Sequence, residues 1–269
     1  MKSWRLLNTG FATGACNMAI DEAILVAHSR GEVPPTVRFY GWDPPALSLG
    51  YFQEADKEVD FAACRSVGID VVRRPTGGRA VLHDQEVTYS LVATENDPMV
   101  PGGVLESYLQ ISRGLVAGLE NLGIQAEIVS HGHQKMGTAA CFDSPSWYEL
   151  VVEGRKLVGS AQTRKAGCLL QHGSILIDLD VDKLFNVLNL PNDAVRMRLR
   201  ENFRQRACSL VEVMGQKPDF DVVCRAFAEG FSRGLGIELV PGELTIAEKE
   251  SAEQLAQGKY GQDNWNRKR

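Results

Sequence analysis

Short runs in which hydrophobic and polar residues alternate dominate the first two thirds of the chain and predict β-strands. They lie at residues 4–7, 36–40, 46–49, 69–72, 86–92, 124–129, 147–152, 156–163 and 169–177. Neighbouring runs are often separated by turn residues, such as Glu153 and Gly154. We therefore predict an α/β fold of the α+β kind, a mixed and largely antiparallel β-sheet flanked by helices.

Hydrophobic residues spaced three or four positions apart predict helices between these strands. The first helix begins after Thr13, a suitable N-cap, and ends at Gly31. Two further helices are predicted over residues 56–66 and 105–122.

The predicted secondary structure changes in the last third of the chain. From about residue 184 it is mostly helical, apart from a predicted strand over 237–240. We predict one domain over residues 1–250 and a polar C-terminal segment over residues 251–269.

The composition is that of an ordinary globular chain of 269 residues, with 44% hydrophobic and 23% charged residues. A net charge of −5 disfavours nucleic-acid binding. No run resembles a signal peptide or a membrane span, so we expect a cytoplasmic protein without membrane association. Six cysteines without Cys-x-x-Cys pairs indicate free thiols, and we expect neither disulfides nor a metal site.

A loop rich in glycine and arginine separates two of the predicted strands. Glycines allow a ligand to approach backbone N–H groups closely, and arginines add fixed positive charge, so the loop is a candidate site for a carboxylate, phosphate or thioester carbonyl. A tight hairpin with a solvated arginine rim is the structural alternative. The stretch matches neither a P-loop nor a dinucleotide fingerprint. Its chemistry-bearing residues are Arg73, Arg74, Gly77, Gly78, Arg79, His83 and Asp84.

The segment 130–146 has no periodicity and contains Cys141 near its end. Long polar loops of this kind often carry function, and a cysteine thiolate is an effective nucleophile. On position alone, a reactive and a structural role for this thiol remain equally open. Cysteines inside periodic elements are expected to be buried, whereas Cys208 stays undecided. The cysteines in periodic elements are Cys16, Cys64, Cys168 and Cys224.

Lys156 begins a strand after a turn, and small residues follow it at Gly159, Ser160 and Ala161. Such a lysine can hold a carbonyl oxygen or lower the pKa of a thiol, and small residues in a strand allow close approach of a ligand. A solvent-facing strand lysine is the alternative. His172 lies in another predicted strand, where a structural histidine is expected.

Taken in order, three motifs resemble the lipoate/biotin protein ligase family. They are the segments 17–23 (NMAIDEA), 73–84 (RRPTGGRAVLHD) and 154–161 (GRKLVGSA). Within that family, the segment 140–150 is similar to the cysteine-bearing segment of octanoyltransferases typical of Gram-positive bacteria.

The resemblance implies a ligase-type catalytic domain over residues 1–250 that transfers octanoyl from octanoyl-acyl carrier protein to a lysine of a lipoyl domain, expected to be the glycine cleavage H protein. It implies no ATP and no other cofactor, and we expect a monomer. Cys141 would attack the thioester, and Lys156 would orient the acyl carbonyl. The arginines of the glycine loop would face the acidic partner proteins. The implied substrate-binding residues are Arg73, Gly77, Gly78, Arg79, His83, Gly159, Ser160 and Ala161.

Three other functions stay open at this point. An ATP-dependent lipoate or octanoate ligase would use Lys156 to grip an acyl-adenylate. An amidotransferase would move octanoyl from the H protein to other lipoyl domains. A non-catalytic lipoyl-binding module would bind without turnover. ATP dependence and the choice of acyl donor separate these functions.

Overall fold

Two β-sheets organise residues 1–130 and 148–268, the part of the chain that the structure, a computed structural model, describes. The strands are β1 (Lys2–Ala12), β2 (Thr36–Trp42), β3 (Ala46–Leu49), β4 (Asp70–Arg73), β5 (Val81–His83), β6 (Glu86–Thr94), β7 (Glu127–Ser130), β8 (Tyr148–Val152), β9 (Arg155–Lys165), β10 (Cys168–Leu176) and β11 (Ile237–Pro241).

The larger sheet has eight strands in the order β11-β1-β2-β6-β10-β9-β8-β7. β1 runs parallel to both of its neighbours, and the remaining pairs are antiparallel. The smaller sheet has the order β4-β3-β5. The prediction of a mixed and largely antiparallel sheet flanked by helices is confirmed.

Helices cover both sheets. They are α1 (Gly14–Ser29), α2 (Ala55–Glu58), α3 (Phe61–Ser66), α4 (Val104–Asn121), α5 (Val181–Asn186), α6 (Asp193–Arg206), α7 (Leu210–Met214), α8 (Phe220–Leu235), α9 (Ile246–Leu255) and α10 (Asp263–Asn266). A π-helical turn, Ala256–Tyr260, continues α9. None of the helices in the described ranges is both long and apolar enough to cross a membrane.

The main core lies between the larger sheet and the helix pair α4 and α8. Buried aromatic side chains of the sheet, such as Phe39 and Tyr89, pack against Phe231 of α8. The two helices approach closely because glycines face each other. A Cβ added at Gly230 would lie 2.3 Å from the backbone nitrogen of Gly118, so no larger residue fits at this crossing.

Local capping signals in the sequence set two helix starts. The Thr13 side chain accepts a hydrogen bond from the backbone of Cys16 at 3.3 Å, which confirms the predicted start of α1. The single helix predicted over residues 56–66 is wrong. Asp60 accepts a bond from the Ala63 backbone at 2.9 Å and starts α3 as a separate helix after α2.

The C-terminal segment packs onto the rest of the chain. The boundary expected at residue 250 falls inside α9, and both Tyr260 and Asn266 beyond it are buried. The Tyr260 hydroxyl donates to the carboxylate of Glu22 in α1 at 2.7 Å. The segment therefore packs on α1.

Candidate active site

The glycine-arginine loop joins β4 to β5, which lie on opposite sides of β3 in the smaller sheet. The loop therefore crosses the end of β3, and the alternative of a tight hairpin is wrong. Gly78 has a φ of 93°, a region that favours glycine. A Cβ added at Gly50, which follows β3, would lie 2.0 Å from the carbonyl oxygen of Gly78. Two glycines are thus required for this backbone contact.

Arg73 is completely buried and does not form part of an exposed rim. Its guanidinium donates to the carbonyl oxygens of Gly50 and Gln53, each at 2.9 Å, and to that of Asn266 at 3.1 Å. The backbone of Arg73 also donates to the Asn266 side chain at 2.9 Å. Arg73 therefore does not face a partner protein as expected, because it is buried and its donors hold the turn after β3 and the C-terminal helix.

The buried side chain of Arg74 stabilises the glycine-arginine loop through hydrogen bonds to its backbone. It is 4% exposed and donates to the carbonyls of Gly77 at 2.8 Å and Arg79 at 2.7 Å. A further bond at 2.9 Å reaches the carbonyl of Ser48 in β3. Only the third arginine, Arg79, keeps a substantially exposed side chain, and it lies 3.8 Å from Glu58. The predicted cationic rim is therefore reduced to Arg79.

A cavity opens between the smaller sheet, α1 and the middle of the larger sheet. Four residues that the sequence analysis names as substrate-binding lie together in its wall: His83, Gly159, Ser160 and Ala161. Five other predicted site residues are not among the described residues that line it: Arg73, Gly77, Gly78, Arg79 and Lys156. Its lining is Met18, Tyr40, Trp42, Ser48, Arg74, Val81, His83, Thr88, Gly159, Ser160, Ala161, His172, Gly173 and Ser174.

Both ring nitrogens of His83 are engaged. Nε2 lies 2.7 Å from the Ser48 hydroxyl, and Nδ1 lies 2.7 Å from the carboxylate of Glu86. The Trp42 ring stacks on the imidazole with a centroid separation of 4.0 Å. These contacts hold the imidazole plane in the cavity wall.

Asp21 of α1 lies at the centre of a buried polar network behind the cavity. It accepts hydrogen bonds from Arg38 at 2.7 Å, Tyr40 at 2.9 Å and Ser90 at 2.8 Å. Burial alone would raise the pKa of this carboxyl, but the Arg38 charge and the bond with His172 hold the pKa below its ordinary value. Asp21 is therefore a carboxylate anchored by its neighbours.

His172 connects that network to the glycine loop. Its Nδ1 lies 3.2 Å from Asp21, and its Nε2 lies 2.7 Å from the hydroxyl of Thr76. Burial lowers the pKa of His172, against the opposing effect of Asp21. A neutral ring donates from Nδ1 to the carboxylate and accepts at Nε2 from the threonine hydroxyl. The sequence indicated a structural histidine here, and its place in the cavity wall was missed because no local signal links residues so far apart.

Gly173 of β10 leaves room for groups of the neighbouring strands. A Cβ added at Gly173, opposite Ser160 in the sheet, would lie 2.6 Å from the Tyr89 ring. The Tyr89 hydroxyl is 2.7 Å from the Ser160 hydroxyl and accepts from Gln171 at 2.8 Å. Burial raises the pKa of Tyr89, so this phenol stays neutral. Ser160 thus presents its hydroxyl to the cavity from a fixed position.

Lys156 is buried, with 3% of its surface exposed, so the alternative of a solvent-facing lysine is wrong. Its ammonium group donates to Glu149 of β8 at 2.8 Å. Its backbone carbonyl accepts from Cys208 at 3.0 Å. The sequence analysis did not single out Glu149. Its position in β8, the strand that forms a hairpin with β9, was a signal that could have identified it.

The predicted nucleophile, Cys141, lies outside the described residues. Burial raises the pKa of Cys64 and of Cys208 to about 11, and that of Cys224 to about 12. These thiols stay protonated near neutral pH, which makes them poor nucleophiles. Cys208, undecided from sequence, is therefore a structural residue. No group of side chains suited to a metal ion occurs within residues 1–130 and 148–268.

Residues 13–232 match the family model of the lipoyl protein ligase A/B catalytic domain. Two similar curated proteins are named octanoyltransferase LipM. One, from Kyrpidia tusciae, is 59% identical, with 99% of each chain covered. The other, from Bacillus subtilis, is 48% identical, with 100% of this chain and 99% of that protein covered.

Solved structures of ligases have the same fold. A crystal structure of lipoate-protein ligase A bound with ATP is similar at a TM-score of 0.82 and 27% identity, covering 99% of both chains. A bipartite lipoate protein ligase from Thermoplasma acidophilum is similar at a TM-score of 0.83 and 26% identity, covering 99% of this chain and 97% of that one.

Proposed function

Because the chain belongs to the lipoyl protein ligase A/B catalytic domain family, we propose that it moves octanoyl from octanoyl-acyl carrier protein to a lysine of a lipoyl domain. Octanoyl transfer in lipoate biosynthesis is the activity of this acyltransferase. The observation that carries it is 59% identity to an octanoyltransferase over 99% of both chains. The donor, the acceptor and the chemical route are the further content of the proposal.

Cys141 is the proposed nucleophile. Its thiolate attacks the thioester carbonyl of the donor, the carbon–sulfur bond to phosphopantetheine breaks, and that sulfur leaves as a thiol after taking up a proton. The acceptor lysine amine then attacks the new thioester, forms an amide and returns the Cys141 thiol. Support comes from the sequence of segment 140–150 and from the raised pKa values of the buried thiols of Cys64, Cys208 and Cys224.

Lys156 is proposed to hold the acyl carbonyl. A buried ammonium group stabilises the negative charge that develops on the carbonyl oxygen during both attacks. The cavity beside β9 is proposed to take the acyl chain, since Met18, Trp42 and Val81 give it apolar walls. Each buried methylene contributes roughly 0.8 kcal/mol, so an octanoyl chain gains several kcal/mol there.

The proposed enzyme is a monomer and lies in the cytoplasm. It needs neither ATP nor another cofactor. A thioester donor is already activated. Exchange of one thioester for another changes the free energy little, and formation of the amide then drives the two-step reaction forward. The glycine cleavage H protein is the proposed acceptor. Light scattering of the purified protein tests the monomer, since a dimer would double the 29.6 kDa mass of the chain.

One assay tests the route. Purified protein is incubated with octanoyl-acyl carrier protein and H protein, with and without ATP, and octanoyl-lysine is measured by mass spectrometry. We expect equal product in both conditions, with none from the C141A variant and normal amounts from a C16A control. Product that requires ATP would instead support the ligase, and a C141A variant that keeps full activity would exclude the proposed nucleophile.

A further inference from the structure

Helix α6 carries a concentration of positive charge that the chain as a whole lacks. The chain has a net charge of −5, whereas α6 has five arginines and two acidic residues. This helix is therefore a basic element on an acidic protein, and its charge attracts a partner of opposite charge. The arginines are Arg196, Arg198, Arg200, Arg204 and Arg206.

One face of α6 packs against the rest of the protein. The ring of Phe203 is buried, and its centroid lies 5.6 Å from that of Phe185 in α5. Leu199 packs against the same hydrophobic cluster. These contacts fix the rotation of the helix about its axis and thereby decide which side chains are turned to solvent.

The outer face of α6 is formed by Met197, Arg198 and Arg204. Met197 is 63% exposed, and Arg198 beside it is exposed as well. Arg204 follows two helical turns after Met197, with a side chain that is 47% exposed. Methionine and arginine are enriched where proteins bind one another. This face is therefore suited to a protein partner that has acidic side chains around an apolar spot.

The neighbouring acidic side chains leave the outer face positive. Asp182 of α5 pairs with both Arg200 and Arg204, so one carboxylate is shared by two guanidinium groups. From residue 194 to the end of the helix, Glu201 is the only acidic residue in the sequence. Exposed ion pairs of this kind contribute little to stability, so a partner can replace them by its own contacts.

α6 ends beside the strand that lines the cavity. Ala207, the next residue, forms a parallel bridge with Lys156 at the start of β9, and the Cys208 backbone donates to the Lys156 carbonyl at 3.0 Å. Gly159 and Ser160 of the cavity wall follow on β9, about 10 Å along the strand. The outer face therefore lies on the same side of the molecule as β9 but is set back from the cavity.

This interval distinguishes the two protein substrates of the proposed reaction. In the donor, the thioester lies at the end of a phosphopantetheine arm, which is long and flexible. In the acceptor, the amine lies on a lysine side chain, which has a stem of four carbons. A docking surface that is set back from the cavity suits the donor, because its arm can span the interval.

We propose that the outer face of α6 docks an acidic surface of the octanoyl-acyl carrier protein that supplies the thioester. This inference rests on the proposed function. Opposite charges speed the encounter and select the partner, and Met197 supplies an apolar contact. A change in this face should weaken binding of the donor protein and leave the chemical steps intact.

The test reverses one charge on the outer face. R198E is compared with R113E, which reverses an exposed arginine of α4. Transfer to H protein is measured with octanoyl-acyl carrier protein and with S-octanoyl-pantetheine, which carries the same thioester without the protein. We expect R198E to raise KM for the protein donor about 10-fold, with kcat and the use of S-octanoyl-pantetheine unchanged. R113E should behave like the wild type with both donors.

Two further variants and the salt concentration identify what the face contributes. R198K keeps the charge and should keep KM for the protein donor within about threefold of the wild type. M197Q removes the apolar contact and should raise this KM about threefold. Added salt should raise KM for the protein donor in the wild type, because ions screen exposed charges, and should raise it less in R198E.

Binding without turnover separates the docking surface from the proposed reaction. Holo-acyl carrier protein, which has the arm but no octanoyl group, is labelled and followed by fluorescence anisotropy. Its Kd should be about 10-fold higher for R198E than for the wild type and R113E. A wild-type protein that transfers no octanoyl refutes the proposed function, whereas this comparison would still report on α6.

Three outcomes overturn the assignment. R198E with wild-type KM and Kd for the carrier protein shows that α6 does not dock it. An equal effect of R113E shows that net charge, and not the outer face, controls binding. A raised KM for H protein with an unchanged KM for the donor gives α6 to the acceptor. Thermal unfolding identifies a variant that fails to fold, and R198A then replaces R198E.

Discussion

Replacing Asp21 by Asn should destabilise the fold far more than the loss of one charge at the surface. Both Asp21 and its partner Arg38 are completely buried, with a nitrogen–oxygen distance of 2.7 Å. The substitution keeps the shape of the side chain and leaves the guanidinium charge without its counter-ion. An uncompensated charge in a buried site costs about 3–5 kcal/mol.

A second pair in the same protein provides the comparison. Arg233 and Glu120 are also 2.7 Å apart, but each side chain is 56% exposed. Exposed pairs contribute about 0–1 kcal/mol, because water solvates both charges when the pair is broken. Since the distances are equal, the expected difference between D21N and E120Q comes from burial.

Urea unfolding followed by tryptophan fluorescence measures the free energy of unfolding of both variants. D21N should lose about 3–5 kcal/mol, with a midpoint of thermal unfolding lower by about 10 °C, and E120Q should lose less than about 1 kcal/mol. The double variant R38M/D21N should be more stable than D21N, because it removes the unpaired charge. Equal losses for D21N and E120Q would refute the reasoning.

Three further predictions follow from buried contacts. Burial lowers the pKa of His172 below 6.5, so as the pH drops the unfolded chain takes up a proton on this residue before the folded chain does. The free energy of unfolding should therefore fall as the pH drops below that value. In urea unfolding at a series of pH values, H172Q should show a shallower fall. G50A places a methyl group 2.0 Å from the Gly78 carbonyl and should lower both the midpoint of thermal unfolding and octanoyl transfer. N266A removes an acceptor of the Arg73 backbone and should lower the free energy of unfolding by about 1–3 kcal/mol.

Matched controls accompany these variants. A Cβ at Gly258 meets open space, so G258A should behave like the wild type where G50A does not. Asn264 is exposed on the same short helix as the buried asparagine, so N264A should leave stability unchanged. A pH profile of H172Q that is parallel to that of the wild type would contradict the role of the imidazole.

Much of the fold was predictable because its signals are local. Thr13 starts α1 through a bond to a residue three positions away, and the turn at Glu153 and Gly154 joins β8 to β9 as predicted. The prediction of one helix over residues 56–66 was wrong for a reason that is also local. The hydrophobic spacing continues through Asp60, whose side chain caps the start of a second helix. The sequence analysis singled out Lys156 but not Glu149, the carboxylate that accepts its hydrogen bond.

The order of strands and helices and the chemical groups available to the site follow from the sequence, because spacing, capping and turns act over a few residues. The direction in which those groups point was decided by the tertiary structure. Arg73 carries a charge suited to a partner surface, yet the turn after β3 and the C-terminal helix bury it. Asp21, His172 and Thr76 join in one network because the sheet order and the packing of α1 bring distant segments together, and no local pattern encodes that contact.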